Sequence, residues 1–497
     1  MRLLPADPQT LLMLLAAPPL VGLLLWVFAR RCGIAIGLLL GTQVWVVVAG
    51  GQTAALDIGV RVYPTDILDV CAISVALMRV PRRNLKSHAG VAALLAMVVL
   101  TAWSTLRGAD AFGLQAAGND SRTYFWHFLA ITLYLATAPL SASLSRIVPR
   151  AWLATAAAYA LLSVAGWADR GLHAANAHLA VDGVTVDSRP VPAAAALVLS
   201  QAAMLLLAPG APAPPAAGVP DRGGPAGGPR VNGRHLTAFL FLVLVVLLQH
   251  RTVWVATAMM GLAWWVLRPA RGGRRLVSAG AGALALSLAA LLYAAGAFGA
   301  IGGSLTDSFK ETQGTRSTFV WRMLGWQDLI EAPRTFAQWL VGAPFGSGYE
   351  RFIGGGLVTV SPHDYYLHIM LRLGLVGLLA LLVVYVRTWR RLARGGAETL
   401  ALRVVMVGQL VLFVSYSAFP EQAVLLGFCL WQARLRSADE LPPAPSPGAP
   451  APVAPVPRPE PPARSAVMER EGAAPSETGG TREGTACRTS LSVTKRT

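Results

Sequence analysis

Apolar runs of about 20 residues recur along almost the whole chain, and that repetition constrains the fold more than any motif does. Backbone placed in hydrocarbon must satisfy its own N–H and C=O groups, which a helix does within one segment. Such runs fall near 11–29, 33–50, 65–80, 89–106, 123–138, 151–168, 191–208, 235–249, 252–267, 276–296, 365–386, 402–418 and 421–434. They predict an all-α, polytopic transmembrane helix bundle of about 12–14 spans with one large, partly helical loop outside the membrane. Residues are 54% hydrophobic and only 13% charged, which excludes a string of soluble domains. Met1–Arg31 lacks a basic n-region and an A-x-A site, so no cleavable leader is expected.

The formal charge of +17 records topology. Basic clusters such as Arg79–Lys86, Arg222–Arg234, Arg268–Arg275 and Arg387–Arg403 occupy alternate loops, the positive-inside pattern. No nucleic-acid partner is expected. Of the four cysteines, Cys32, Cys71 and Cys429 lie in or beside apolar runs and Cys487 in the tail, so neither a disulfide framework nor a thiolate zinc site follows. No metal and no cofactor are expected.

The organisation reads as N-terminal transmembrane helices (1–208), a Pro/Gly-rich cytoplasmic linker (209–234), transmembrane helices of the half carrying the chemistry (235–296), the large outer loop (297–362), C-terminal transmembrane helices (363–436) and a disordered cytoplasmic tail (437–497). No internal repeat is evident, which weighs against transporter folds built from repeats.

Cations on the outer side are not explained by orientation, and they mark the candidate site. Thr65-Asp66 reads as a helix start with Asp69 one turn deeper, a cap plus an ion pair. Arg122 stands at the mouth of the fifth run, where Tyr124 and Trp126 also suit an interfacial anchor. Leu236 to Leu267 is too long for one span and short for two, and two short helices meeting at Gln249-His250-Arg251-Thr252 would leave Arg251 recessed. Farther on, Phe319, Met323, Trp326 and Ile330 fit one helical face, with Arg322 at its edge beside Leu329. In LVGAPFGSGYERF, Gly346 and Gly348 let backbone approach a ligand, and Arg351 follows closely. Ser361-Pro362-His363-Asp364 reads as a helix start, Ser361 at N-cap and Asp364 in the capping box. His363 would then sit in the positive field of a helix N-terminus, which keeps it neutral and fit to act as a base. His368 and Arg372 follow on the same helix, within reach of one cavity.

Together these residues resemble the bacterial O-antigen ligase/polymerase family of membrane glycosyltransferases. The marks are His250-Arg251-Thr252 between two spans, Arg322 followed by Trp326 in the large loop, Gly346 and Gly348, and the run His363, Leu367, Gly374, Gly377. The resemblance covers about Leu236–Val386, and Asp364 stands where the family usually has Asn. It implies a location in the bacterial inner membrane, an active site facing the periplasm, and a glycan on undecaprenyl pyrophosphate as donor. It also implies metal-independent, inverting transfer to an acceptor hydroxyl, with His363 as base and Arg322 and Arg251 as catalytic cations. Arg122, Trp326, Gly346, Gly348, Arg351 and Arg372 would bind substrate. The acceptor would be another lipid-linked repeat unit (an O-antigen or exopolysaccharide polymerase), lipid A-core (a ligase) or a protein hydroxyl, and SPHDYYLHIMLRLGLVG favours the polymerase. Membrane lipids and a chain-length regulator are the other partners implied. A transporter or flippase of polyprenyl-linked sugars is the competing class. It would need charges along a midplane path, whereas the spare cations here gather at outer helix ends.

Overall fold

Helix length and hydropathy set the architecture. The structure is a computed structural model that describes residues 8–50, 55–57, 61–81, 89–170, 178–181, 184–187, 189–207, 233–268, 318–353 and 356–439. All lie in one unit, Met1–Leu441. The linker over 209–232, the expected span at 276–296, the loop as far as 317 and the tail beyond Asp439 lie outside the described residues.

The N-terminal helices are α1 (Pro8–Arg30), α2 (Cys32–Val48), α3 (Pro64–Arg79), α4 (Ala89–Phe112), α5 (Leu114–Ser121), α6 (His127–Ala136), α7 (Ala142–Arg170) and α8 (Ala193–Leu207). One π-helical turn, Arg122–Trp126, joins α5 to α6. Then come α9 (Gly233–Leu247), α10 (Arg251–Leu267), α11 (Thr318–Glu331), α12 (Phe336–Val341), α13 (Tyr365–Arg394), α14 (Leu400–Leu412) and α15 (Pro420–Asp439). Among the described residues, strands form three antiparallel hairpins: β1 (Leu56–Asp57) with β2 (Arg61–Val62), β3 (His178–Val181) with β4 (Val184–Asp187), and β5 (Arg351–Ile353) with β6 (Gly356–Val358). The protein is an all-α helical membrane protein.

α4, α7 and α13 are each long and apolar enough to cross a bilayer, and α6, α8, α9 and α10 are shorter apolar helices. Large apolar side chains point outward from these helices: Val99 is 66% exposed and Leu161 72%. In water that surface would drive association; in hydrocarbon it is the solvated face. α6 and the first twelve residues of α8 are buried along their length and form the centre. Polar groups there find partners on other helices. Gln201 and Gln422 exchange amide hydrogen bonds (2.9 and 3.2 Å), Gln409 donates to the Gln422 carbonyl (2.8 Å), and Tyr385 donates to Gln409 (3.1 Å). Between helices in lipid such bonds replace the hydrophobic drive that water would supply.

Two helices depart from simple spans. α1 and α2, expected as separate crossings, are bent by 118° at Arg31, the geometry of a broken span or a re-entrant pair. Arg79 of α3 supports the break by donating to the Phe28 and Ala29 carbonyls (3.0 and 3.3 Å), acceptors that a helix end would otherwise leave open. α13 breaks at Gly374, whose φ of 65° is non-helical. A Cβ there would lie 2.2 Å from the Leu340 carbonyl oxygen, so the bare backbone lets α12 dock against α13.

Gly374→Ala adds both a steric clash and a left-handed strain, and should lower the unfolding temperature in detergent by the equivalent of about 2 kcal/mol or more. Gly37→Ala, in α2 with nothing within 4 Å of the new methyl group, should change it by no more than about 1 kcal/mol.

Candidate functional site

The candidate site is assembled where α11, the segments 342–353 and 356–364 and the first turns of α13 meet the C-terminal part of α4 and α5. A small apolar cluster of Trp326, Leu329, Tyr349, Leu367 and Leu371 joins α11 to α13. The buried face of α11 is Gly325, Trp326 and Leu329, with Arg322 half-buried beside it. Met323 and Ile330, expected on that face, are 47% and 45% exposed. The indole of Trp326, on the buried face, donates to the Pro362 carbonyl (2.6 Å). The Trp326 ring therefore anchors the segment before His363.

α13 begins three residues later than the Ser361 cap implies. Asp364, and not Ser361, is the N-cap: its carboxylate accepts from the Leu367 N–H (2.9 Å), while the Tyr365 N–H reaches the Phe413 carbonyl (2.8 Å). Asn and Asp are equally good N-caps, so Asp364 does the work that an Asn would do there. His363 lies outside the helix with a left-handed backbone (φ 52°), which turns it out of the helix line. Its proton affinity is lowered by burial first, then by the positive charges of Arg322 and Arg351 and by His368. The ring is kept neutral, as expected, but by burial and cations instead of a helix field. Burial raises the Asp364 carboxyl from 3.8 to about 6 despite the hydrogen bonds from Leu367 and Tyr366.

Both cations beside His363 keep donors available. Arg322 donates once, to the Ser415 carbonyl (3.1 Å), and lies over the Tyr416 ring at 5.4 Å; its Nε and Nη2 bond nothing among the described residues. Arg351, only 3% exposed, spends Nη1 on the Tyr349 and Val360 carbonyls (3.0 and 2.6 Å) and keeps a buried Nε without a partner.

Behind them lies a buried clasp. Arg372 uses all five N–H donors within the protein: Nε to the Tyr349 hydroxyl (2.9 Å), Nη1 to the Pro344 carbonyl (3.2 Å) and the Ser347 hydroxyl, Nη2 to the Gly348 carbonyl (2.8 Å) and Asp120 (2.8 Å). Asp120 also accepts from the Gly346 N–H (2.8 Å) and the Tyr349 hydroxyl (2.5 Å). Tyr349 has one hydrogen and gives it to Asp120, so His368 meets the phenol oxygen as the Nε2–H tautomer and its buried Nδ1 has no partner. Burial pushes the Asp120 carboxyl up, but His368, the charge of Arg372 and the donors Tyr349 and Gly346 outweigh it and hold it below the usual carboxylate range. Gly346 and Gly348 have φ of 88° and 78°, so their role in this geometry is to shape the loop around the clasp.

The structure thus brings together His363, Arg322, Arg351 and Trp326, with Arg372, Gly346 and Gly348 one layer behind. It does not bring in Arg122, which pairs with Asp66 through Nε (3.0 Å), donates to the Arg61 carbonyl (2.6 Å) and stacks over Tyr63. Arg251, expected within the break Gln249–Thr252, heads α10 after a break at 248–250, half-buried, and is not among the charges acting on His363. Asp120 and Tyr349 were missed. Asp120 precedes Arg122 in the polar turn Asn119-Asp120-Ser121, but nothing local ties it to a loop more than 200 residues later.

A family model described as O-antigen ligase matches residues 236–382, from α9 to the middle of α13. That segment carries Arg251, Arg322, Trp326, Arg351, His363 and Arg372, and on this bundle it defines a glycosyltransferase-type membrane enzyme. The match spans 147 of the 497 residues, and over that segment the chain is similar to the O-antigen ligase family. No curated protein matches the chain.

Because the native Asp364 carboxyl holds its proton more tightly than the unfolded one, it lowers stability as pH rises from about 4 to about 6. Asp364→Asn keeps the cap and removes that term. At pH 7.5 the variant should unfold a few degrees higher than wild type, roughly what 1 kcal/mol does, and thermal scans at pH 4 should show the gap closing.

Proposed function

We propose that the protein transfers a glycan from undecaprenyl pyrophosphate to an acceptor hydroxyl at the periplasmic face of the bacterial inner membrane, extending lipid-linked repeat units as a polysaccharide polymerase. The observation that carries this reading is His363, held neutral at the head of α13 with the charges of Arg322 and Arg351 acting on it. A neutral imidazole takes the acceptor proton as that oxygen attacks the anomeric carbon. The new C–O bond forms as the bond from the anomeric carbon to the pyrophosphate oxygen breaks, with inversion. The electron pair leaves with undecaprenyl pyrophosphate, whose added negative charge meets the unspent N–H groups of Arg322 and Arg351. Fixed guanidinium groups do the work that a metal does in other phosphate-releasing enzymes. We assign Arg351, in place of Arg251, as the second cation beside the base. Trp326 and Arg372 act as positioning residues in this scheme.

The family model's description, O-antigen ligase, supports a second acceptor, lipid A-core. Purified protein given lipid-linked repeat units, with no energy source, should make longer glycans. Transfer only after lipid A-core is added would establish the ligase, and no new glycosidic bond with any acceptor would refute the enzyme.

His363→Ala should lower turnover by about 10²–10⁴. With the histidine shifted below its ordinary 6.5, the rate should be flat from near-neutral pH upward and fall only in more acidic solution. Arg322→Ala removes one of the charges that disfavour imidazolium, so its acidic limb should move to higher pH as its turnover drops.

A further inference from the structure

α12 sits lower in the bundle than a loop outside the membrane would. The apolar stretch of α13 ends at Val386, and Arg387, Arg390, Arg391 and Arg394 follow. Hydrocarbon does not hold such a run of charge, so one edge of the membrane lies near Arg387. The start of α4 lies at the same level, since a Cβ on Gly90 would come within 4.0 Å of the Arg387 side chain. From Arg387 to Gly374 is thirteen residues of helix, about 20 Å of rise. Gly374 is where α12 docks, its backbone pressed against the Leu340 carbonyl. α4 gives a second measure. Ser104 stands fourteen residues on from Gly90, again about 20 Å up, and donates to the carbonyls of Ala343 (3.3 Å) and Arg372 (3.1 Å). A hydrocarbon core about 30 Å thick leaves Leu340 and Ala343 about 10 Å inside its far edge, and any helix tilt sets them deeper.

Backbone and side chains both suit that depth. The non-helical residues after α12 are bonded within the protein, as hydrocarbon requires of irregular backbone. The Gly342 N–H donates to the Gln338 carbonyl (2.9 Å) and the Ala343 N–H to the Leu371 carbonyl (2.8 Å). The carbonyls of Gly342, Ala343 and Pro344 accept from Arg107 (3.1 Å), Ser104 and Arg372 (3.2 Å). At the start of the helix Thr335 and Gln338 cap each other (3.0 and 3.3 Å). Phe336 and Leu340, four residues apart and so on one face, are nevertheless 81% and 41% exposed on the protein. Below Gly374, Leu375 and Leu379 of α13 are exposed as well, so the open apolar face of α12 stands above the lipid-facing surface of the stem.

From this geometry we propose that α12 and the backbone as far as Pro344 lie within the leaflet away from the basic helix ends, where Phe336 and Leu340 contact phospholipid acyl chains. The chain enters that leaflet from α11 and returns toward the head of α13 on the same side, so part of the large loop is a re-entrant element. The partner of this face is lipid, and the inference stands whether or not the transferase reading does.

The test uses the full chain in nanodiscs of phosphatidylethanolamine and phosphatidylglycerol, one copy to each disc. Hydroxyl-radical footprinting of the wild type should leave Phe336 unoxidised, although the protein itself leaves that ring open, and should oxidise it in the digested peptides. p-Benzoylphenylalanine in place of Phe336, and in a second variant in place of Leu379, should give photoadducts to acyl chains, read by mass spectrometry. Oxidation of Phe336 in single-copy discs overturns the proposal, and protection that returns only in discs holding two copies assigns the face to a second subunit instead. A probe at 336 that yields no acyl adduct where the probe at 379 does also overturns it. The wild-type footprint decides the matter even where both variants fail to fold.

Discussion

The polar head around the candidate site depends on the guanidinium of Arg372. Five donors in a fixed fork reach two backbone carbonyls, two hydroxyl groups and one carboxylate, so a loop with little regular structure acquires a single conformation. Asp120 closes the arrangement from the opposite side and ties it to α5. A charge pair this buried is not there for net stability, since taking both ions from water offsets much of their attraction. Its contribution is specificity of shape: removing either member would leave the other desolvated and the loop 344–349 without its template.

The clasp explains how a neutral histidine and two cations can share one neighbourhood. Arg322 and Arg351 repel each other's charge and would favour any geometry that separates them. Each is instead held by carbonyl oxygens and an aromatic ring, Arg322 by Ser415 and Tyr416, Arg351 by Tyr349, Val360 and Trp321. These partners accept hydrogen bonds without cancelling the positive charge, as a carboxylate would. Burial first, and then the field that results, lower the proton affinity of His363, and that field is available to an anion.

Much of this was legible in the chain. Hydropathy gave the all-α membrane class, and the break at Gln249-His250 was readable because an apolar stretch of that length fits neither one span nor two. His363, Arg322, Trp326 and Arg351 could be marked out because polar and aromatic residues were out of place near helix ends. Other features were hidden for physical reasons. Periodicity put Met323 and Ile330 inward, but the cluster that buries Trp326 and Leu329 against Tyr349, Leu367 and Leu371 leaves them exposed. Ser361 and Asp364 both suit a helix start, and only tertiary contacts, such as Tyr365 with Phe413, decide between them. Arg122 and Arg372 look alike as outer cations, yet one faces α3 and the other is spent entirely on the protein. Asp120 needed a partner in space that no local spacing encodes.

The break at Gly374 has a mechanical meaning. A continuous 30-residue helix transmits rotation and tilt along its axis, so bilayer thickness or lateral pressure acting on its lower part would be felt at His363. With a non-helical residue in the way, the turns bearing His368 and Arg372 belong to the loop and α12, and the stretch from Leu375 to Arg394 answers to the lipid. The joint works as a universal coupling that isolates the polar head from the membrane stem, so the stem can adapt to a changing bilayer while the head keeps its alignment.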